Sequence, residues 1–264
     1  MRGEGRGARE QPETFAVDRL ARPSPLGPRP SPPVLPSSLS IVVPTLNEAE
    51  GVAEFLQTLQ PLRERGVELI VADGGSLDAT VSLATPLVDR LISCPRGRAL
   101  QMNAGAAIAR GNVLLFLHAD CSLPADADLL IAIALLGSDH HWGRFDVRLS
   151  GAARLLRTVE TMMNWRSRIT GICTGDQGIF VERPLFESIG AFPPLPLMED
   201  IAISRALKRH SAPLCLSAKI TASSRRWEKQ GIWRTIMLMW RLRLAYFLGA
   251  RPGRLAEIYH GRTK

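Results

Sequence analysis

Leu39-Ser-Ile-Val-Val43 is a β-branched apolar run that stops at Pro44, which predicts a buried strand and its exit. Mixed polar and apolar positions from Glu48 to Arg65 predict a helix. Val67 to Ala72 predicts a second strand, broken by Asp73-Gly74-Gly75-Ser76. A short helix from Asp78 to Leu87, a brief strand around Leu91-Ile92 and a helix from Arg98 to Arg110 follow, and Gly111-Asn112 is a stop signal. Val113 to Leu117 is the most apolar strand and runs into His118-Ala119-Asp120. Strands that alternate with helices predict a parallel sheet, because parallel strands need crossover connections. The polar groups Asn47-Glu48, Asp73 and Asp120 all follow the carboxyl ends of strands, the edge where open α/β sheets bind ligands. Further on, Ala152 to Ile169 predicts a helix and Gly178 to Val181 a strand. Glu199 to His210 predicts a helix whose acidic start suits its dipole. Ile232 to Leu248 reads as a long apolar helix carrying Arg234, Arg241 and Arg243. No internal repeat is evident.

Composition adds limits. The 264 residues are 45% apolar and 22% charged, enough for a sizeable core, and this excludes a wholly disordered or fibrous chain. Residues 1–38 hold eight Pro among Gly, Arg and Ser, and are expected to form a disordered tail ahead of one domain over 39–264. No run of 18 apolar residues predicts a membrane span, and the first residues lack the apolar core of a secretory signal. Cys94, Cys121, Cys173 and Cys215 are widely spaced, which argues against a disulfide framework or a structural zinc site and for reduced thiols in the cytoplasm. Net charge is +8, and only four of the 33 basic residues are Lys. The Arg excess fits affinity for phosphates, nucleotides or an anionic membrane surface, although a GC-rich genome gives the same bias.

Six short motifs bear on chemistry. Pro44-Thr-Leu-Asn-Glu48 is a polar loop that can touch a base or ribose, or simply cap a helix through Asn47. Asp73-Gly-Gly-Ser76 lets backbone approach a ligand while Asp73 accepts from a base or a ribose hydroxyl; a capped turn is the plainer reading. Its glycines match neither GxGxxG nor GxxxxGK[ST]. A carboxylate after the most buried strand, Asp120 with His118 two residues before it, calls for a partner or a metal ion. Glu199-Asp200 is a pair in which one acid can raise the other's pKa, as a general base needs, or else a charged first turn. Gly175-Asp-Gln-Gly178 is a polar turn, and Arg225-Arg226-Trp227 can clamp phosphate and stack a ring.

Taken in order, these segments resemble the family 2 inverting glycosyltransferases with the GT-A nucleotide-diphospho-sugar transferase fold, over about residues 39 to 230. Pro44 to Glu48 resembles that family's opening motif, Ala72 to Thr80 its nucleotide loop, and Arg98 to Asn103 with Gly105 the helix that follows. His118-Ala-Asp120 stands at the metal-binding DxD position, with His in place of the first Asp. Glu199-Asp200 resembles the acidic pair holding the catalytic base, and Arg226-Trp227 the end of QxxRW, whose Gln is here Ser223, which argues against a polymerising synthase. Gly175 to Gly178 and Ser224 to Gly231 further resemble a bacterial subgroup named for arsenosugar biosynthesis or for radical-SAM/selenodomain association.

The resemblance implies an α/β fold with a mixed, mainly parallel sheet flanked by helices and a helical C-terminal portion. It implies sugar transfer from a nucleoside diphosphate to an acceptor hydroxyl. Asp200, with Glu199, is the expected base. Pro44, Asn47, Glu48, Asp73, Arg98, Asn103, Asp120, Arg226 and Trp227 are expected at the donor, and Asp176 and Gln177 at the acceptor. Asp120 and His118 are expected to hold Mg2+ or Mn2+. Expected partners are a nucleotide sugar and a small-molecule or lipid-linked acceptor, with no nucleic acid. Trp233, Trp240, Tyr246 and Phe247 beside Arg, with Arg243 off the face shared by Arg234 and Arg241, suit either a buried helix with Arg escaping at its edges or peripheral contact with the inner face of the cell membrane, and the +8 charge favours the membrane. A nucleotidyltransferase of similar fold and a non-catalytic nucleotide-sugar-binding protein are the competing readings.

Overall fold

The computed structural model describes residues 38–261, so the tail expected over 1–38 lies outside the described residues except for Ser38. The chain runs β1 (Leu39–Thr45), α1 (Val52–Thr58), α2 (Gln60–Glu64), β2 (Glu68–Asp73), α3 (Thr80–Ala84), β3 (Arg90–Ser93), α4 (Arg98–Ile108) and β4 (Val113–Phe116). It continues through β5 (Cys121–Ser122), α5 (Ala127–Leu135), β6 (Trp142–Leu149), α6 (Arg154–Thr170), β7 (Ile179–Glu182), α7 (Arg183–Ser188) and α8 (Glu199–Leu207). β8 (Leu214–Ala222), α9 (Arg225–Gln230), α10 (Ile232–Phe247) and α11 (Pro252–His260) complete it. The eight strands form one sheet in the order β3-β2-β1-β4-β7-β6-β8-β5. The first four are parallel, β7 is antiparallel to both of its neighbours, β6 and β8 are parallel, and β5 closes the edge antiparallel.

Both faces of the central strands are covered, which is why they read as unbroken apolar runs. Ile41, Val43, Leu69, Val71 and Leu115 point to one face, under Phe55, Leu56 and Leu59 of the first helices. Val42, Ile70, Leu114 and Phe116 point to the other, under Ala99 and Met102 of α4 and Ile203 of α8. A Cβ on Gly105 would sit 2.4 Å from Val42 Cγ1, so the absence of a side chain there sets how closely α4 approaches β1. A third, smaller cluster joins Ile172, Leu197, Met198 and Ile201 to Leu242 of α10 and Leu255 of α11.

Several expected elements change. The helix predicted from Glu48 to Arg65 is two helices that begin only at Val52, with Pro61 in the first turn of the second. The helix predicted to Leu87 ends at Ala84 and tightens into a 3₁₀ turn around Pro86. Strands β5, β6 and β8 had no counterpart in the sequence reading. In β6 the reason is Arg144 and Asp146: both are buried and paired with each other, and Arg168 Nη2 adds a second contact to Asp146 Oδ2 at 2.7 Å. Two charges thus sit where an apolar alternation is looked for. Cys121 and Cys173 are buried, Cys94 and Cys215 half-buried, and the four are unbonded.

Candidate active site

Parallel pairing brings Thr45 opposite Asp73 and Asp73 opposite Ser93, so the loops after β1, β2 and β4 meet at one sheet edge. The β1–α1 loop is tied to the β2–α3 loop. Asn47, at φ +53°, accepts from Leu77 N through Oδ1 at 2.9 Å, and its own N–H donates to Ser76 Oγ at 2.8 Å. Asn tolerates this left-handed backbone better than most residues. Glu48 N donates to Thr80 Oγ1 and Ala49 N to Asp78 Oδ2. Asp73 is buried; its carboxylate accepts from Gly75 N at 2.9 Å, Ser76 N at 2.8 Å and Ser76 Oγ at 2.5 Å. Asp73 and Asn47 therefore shape the loops. Gln101, which sequence reasoning passed over, braces the same edge: its buried amide donates to Thr45 O at 2.7 Å and Ala72 O at 3.0 Å.

At this edge opens a cleft of about 590 Å³. Pro44, Glu48, Arg98, His118, Asp120 and Glu199 line it, together with the Pro194–Leu197 loop, Gly97, Ala256 and Tyr259. Arg98, in the first turn of α4, brings its guanidinium to the cleft. Burial pulls its guanidinium pKa down, but the fields of Glu199, Tyr259, Asp176 and Asp120 outweigh that and leave it raised. Burial first, and Asp120 second, push the Glu48 carboxyl up. Glu199 is 5% exposed, and burial together with neighbouring Asp200 raises its carboxyl despite Arg98.

Asp200 lies one step back, on a narrow cavity shared with His118, Gly175 and Glu199. Its Oδ2 accepts from Gly175 N at 3.2 Å and its Oδ1 from Ile201 N at 2.7 Å, so the carboxylate is held in a fixed orientation. His118 Nδ1 stands 3.4 Å from Asp176 Oδ1. A Cβ on Gly175 would lie 2.2 Å from His118 Cε1, so the imidazole occupies the room that glycine leaves. Burial would lift the Asp176 carboxyl, but the His118 contact and nearby Arg98 and Arg243 hold it below its ordinary value.

His118, Cys121 and Asp176 bring one donor atom each within 4.8 Å of one another, whereas Asp120 turns to the cleft. Burial drives the Cys121 thiol well above its usual range, so it stays protonated and is a poor ligand for a hard cation. Among the described residues the exposed Asp120 carboxylate meets only the Cys121 thiol, at 3.5 Å, and a carboxylate so placed suits a hard divalent ion shared with phosphate oxygens.

Four expected site residues serve the scaffold. Asn103 exchanges hydrogen bonds with the backbone of Phe192 at 2.8 and 2.9 Å, pinning α4 to that loop. Buried Gln177 accepts from Thr174 N at 3.1 Å and fixes the Gly175 turn. Trp227 packs against the core beneath the sheet instead of facing the cleft. Arg226 stacks on Tyr259, with Cζ 3.9 Å from the ring centroid, and donates to its hydroxyl, so it reaches the cleft only through that ring. Tyr259 itself had no signal in the sequence, because α11 is packed there by tertiary contacts.

Residues 40–175 match the family model described as glycosyl transferase family 2. PGL/p-HBAD biosynthesis glycosyltransferases of Mycobacterium tuberculosis and Mycobacterium bovis are 37% identical over 108 residues, 38% of this chain and 42% of theirs, so the match spans under half of these relatives. Three solved structures share the fold. Residues 1–349 of S. aureus TarS give a TM-score of 0.59 at 18% identity, covering 71% of this chain and 60% of that one. A Pyrobaculum calidifontis mannosyltransferase in complex with GDP-Man and Mn2+ gives 0.56 at 22% identity, covering 84% and 68%. Glucosyl-3-phosphoglycerate synthase from Mycobacterium tuberculosis, with Mn2+, UDP and glucosyl-3-phosphoglycerate, gives 0.52 at 21%, covering 70% and 71%.

Proposed function

The chain belongs to glycosyl transferase family 2, and from that premise we propose that it transfers a sugar from a nucleoside-diphosphate donor to an acceptor hydroxyl with inversion. The observation that carries the reading is the meeting of Arg98, Asp120 and Glu199 in one cleft at the carboxyl ends of β1, β2 and β4, with Asp200 on the narrow cavity that shares His118 and Glu199 with it. An anionic leaving group and an acceptor that must lose a proton need just such opposed charges.

The acceptor oxygen attacks the anomeric carbon from the face opposite the diphosphate. The bond from that carbon to the phosphate oxygen breaks, and the hydroxyl proton passes to a carboxylate. We assign that proton to Asp200, whose two backbone hydrogen bonds leave lone pairs on both oxygens. Arg98 receives the developing diphosphate charge. Asp120, and His118 if it leaves Asp176, would hold Mg2+ or Mn2+, which when bound neutralises the same charge. Support for Mn2+ comes from the fold relatives solved with it. Pro44, Glu48 and the loops ordered by Asn47 and Asp73 form the nucleoside side, and Asp176 the acceptor side. The narrower subgroup resemblance, carried by Gly175–Gly178 and Ser224–Gly231, belongs to the same proposal, as does a small-molecule or lipid-linked acceptor.

The test is a melting-temperature panel of UDP- and GDP-sugars with and without Mn2+, followed by product analysis of the stabilising donor. A donor-specific rise in Tm and an inverted anomeric product are expected. A protein that binds no nucleotide sugar, or releases pyrophosphate from a nucleoside triphosphate, overturns the reading.

A further inference from the structure

Among the described residues α10 presents an apolar face that is left mostly exposed, met at one end by Arg205 of α8, whose Cζ lies 5.4 Å from the Phe247 ring centroid. Thr235 and Leu242 are its buried side. On the other side Trp233, Met237, Trp240, Leu244, Phe247 and Leu248 are 54 to 79% exposed. At roughly 100° per residue these six fall within an arc of about 100°, centred opposite the buried pair. Arg234 and Arg241 border the arc on one side, both exposed, and Arg243 borders it on the other. Arg243, the residue that spoiled the two-faced pattern in the sequence, is thus a flank of the stripe. Single exposed apolar residues are ordinary, but a continuous face of large ones, edged by charge, marks a docking surface.

Charge identifies the occupant. Residues Arg225 to Lys264 contain ten Lys and Arg and only two Glu, an excess equal to that of the whole chain, +8, so the rest of the molecule is balanced. A second copy of this face would bring arginines against arginines. Anionic headgroups complement them, Trp prefers the headgroup level, and Leu, Met and Phe enter the acyl boundary. No helix among the described residues is long and apolar enough to cross a membrane, so the helix would lie in the surface plane. We propose that α10 docks the protein on an anionic lipid bilayer through this face. α11, packed on α10 through Leu242 and Leu255, forms a wall of the cleft through Ala256 and Tyr259, with Arg226 of α9 stacked on that tyrosine. Docking therefore brings the cleft near the bilayer, which suits a hydroxyl carried by a lipid. The docking itself does not depend on the transferase reading.

The experiment is flotation of the full-length protein with vesicles of phosphatidylglycerol and phosphatidylcholine, or phosphatidylcholine alone, at low and high salt. Binding to the anionic vesicles at low salt is expected, weakened by salt, with a blue shift of tryptophan emission in the unaltered protein. Arg234→Gln with Arg241→Gln is expected to weaken binding about 25-fold, roughly fivefold for each arginine. Trp233→Ser with Trp240→Ser is expected to abolish it while leaving Tm unchanged, since both rings are exposed. Absence of flotation at low salt overturns the proposal. So does binding that survives the Trp substitutions, or a lipid-free dimer that those substitutions dissolve.

Discussion

At the scale of single residues, the acidic pair divides two roles that the sequence left together. Asp200 is held by Gly175 N and Ile201 N, while Glu199 is buried with its carboxyl raised. Asp200→Asn keeps the shape but cannot take a proton, and transfer should fall by about 10²–10⁴-fold with donor affinity nearly unchanged. Isothermal titration and initial rates measure both. The pH profile separates the pair. A base acts when deprotonated, so if Glu199 were the base, kcat/KM would fall with decreasing pH at a value above the ordinary glutamate range, 4.5. The raised carboxyl also has a stability consequence. Folding favours its protonated form, so the stabilisation it gives is complete below the unfolded pKa and is lost as pH rises through the folded one. Glu199→Gln should therefore raise Tm at pH 7 and leave it unchanged under strongly acidic conditions, which calorimetry at both pH values checks. Gly175→Ala tests the turn: its methyl must displace the His118 ring, and activity should drop with the His118–Asp176 contact.

Among elements, α4 ties the cleft to the sheet and to the Phe192 loop. Its first turn brings Arg98 to the cleft, Gln101 bridges the ends of β1 and β2, Asn103 grips the Phe192 loop, and Gly105 meets Val42. Gly105→Ala gains helix propensity, yet its Cβ would overlap Val42 Cγ1. Overpacking of this kind is expected to lower stability by about 1–3 kcal/mol, readable as a reduced urea midpoint. The parallel elements were legible because β1, β2 and β4 are buried on both faces and their loops begin with turn signals. The antiparallel half was hidden for physical reasons. β6 buries Arg144 and Asp146 as a pair, β8 is half-buried along most of its length, and β5 has two residues. In the site, Asp120 could be read from its place after the most apolar strand and Glu199 from its acidic neighbour, whereas Arg98 entered through the family resemblance. The grouping of His118 and Cys121 with Asp176 joins segments 55 residues or more apart, and no local pattern announces it.

For the molecule as a whole, the apolar core of the described residues begins at Leu39 with the first strand, and each of that strand's two faces is covered by helices that follow it in sequence. Residues 1–38, with eight Pro and few large apolar side chains, have little to bury, and Pro can neither continue a helix nor donate to a central strand. A chain beginning at Pro36 is expected to keep β1 intact, since Ser38 O accepts from Val113 N and Ser38 Oγ from Asn112 N within the retained segment. Its Tm should lie within about 2 °C of the full-length protein, because surface or terminal changes that remove no buried contact seldom exceed about 0.5 kcal/mol. Its transfer rate should match as well, since the cleft lining among the described residues runs from Pro44 onward. The tail holds six basic and four acidic residues, so its loss moves the net charge only from +8 to +6, and binding to anionic vesicles through α10 should persist. Parallel melting, rate and flotation measurements on the two chains test all three consequences. A fall of several degrees in Tm would mean that the first 35 residues dock on the domain and contribute to its stability.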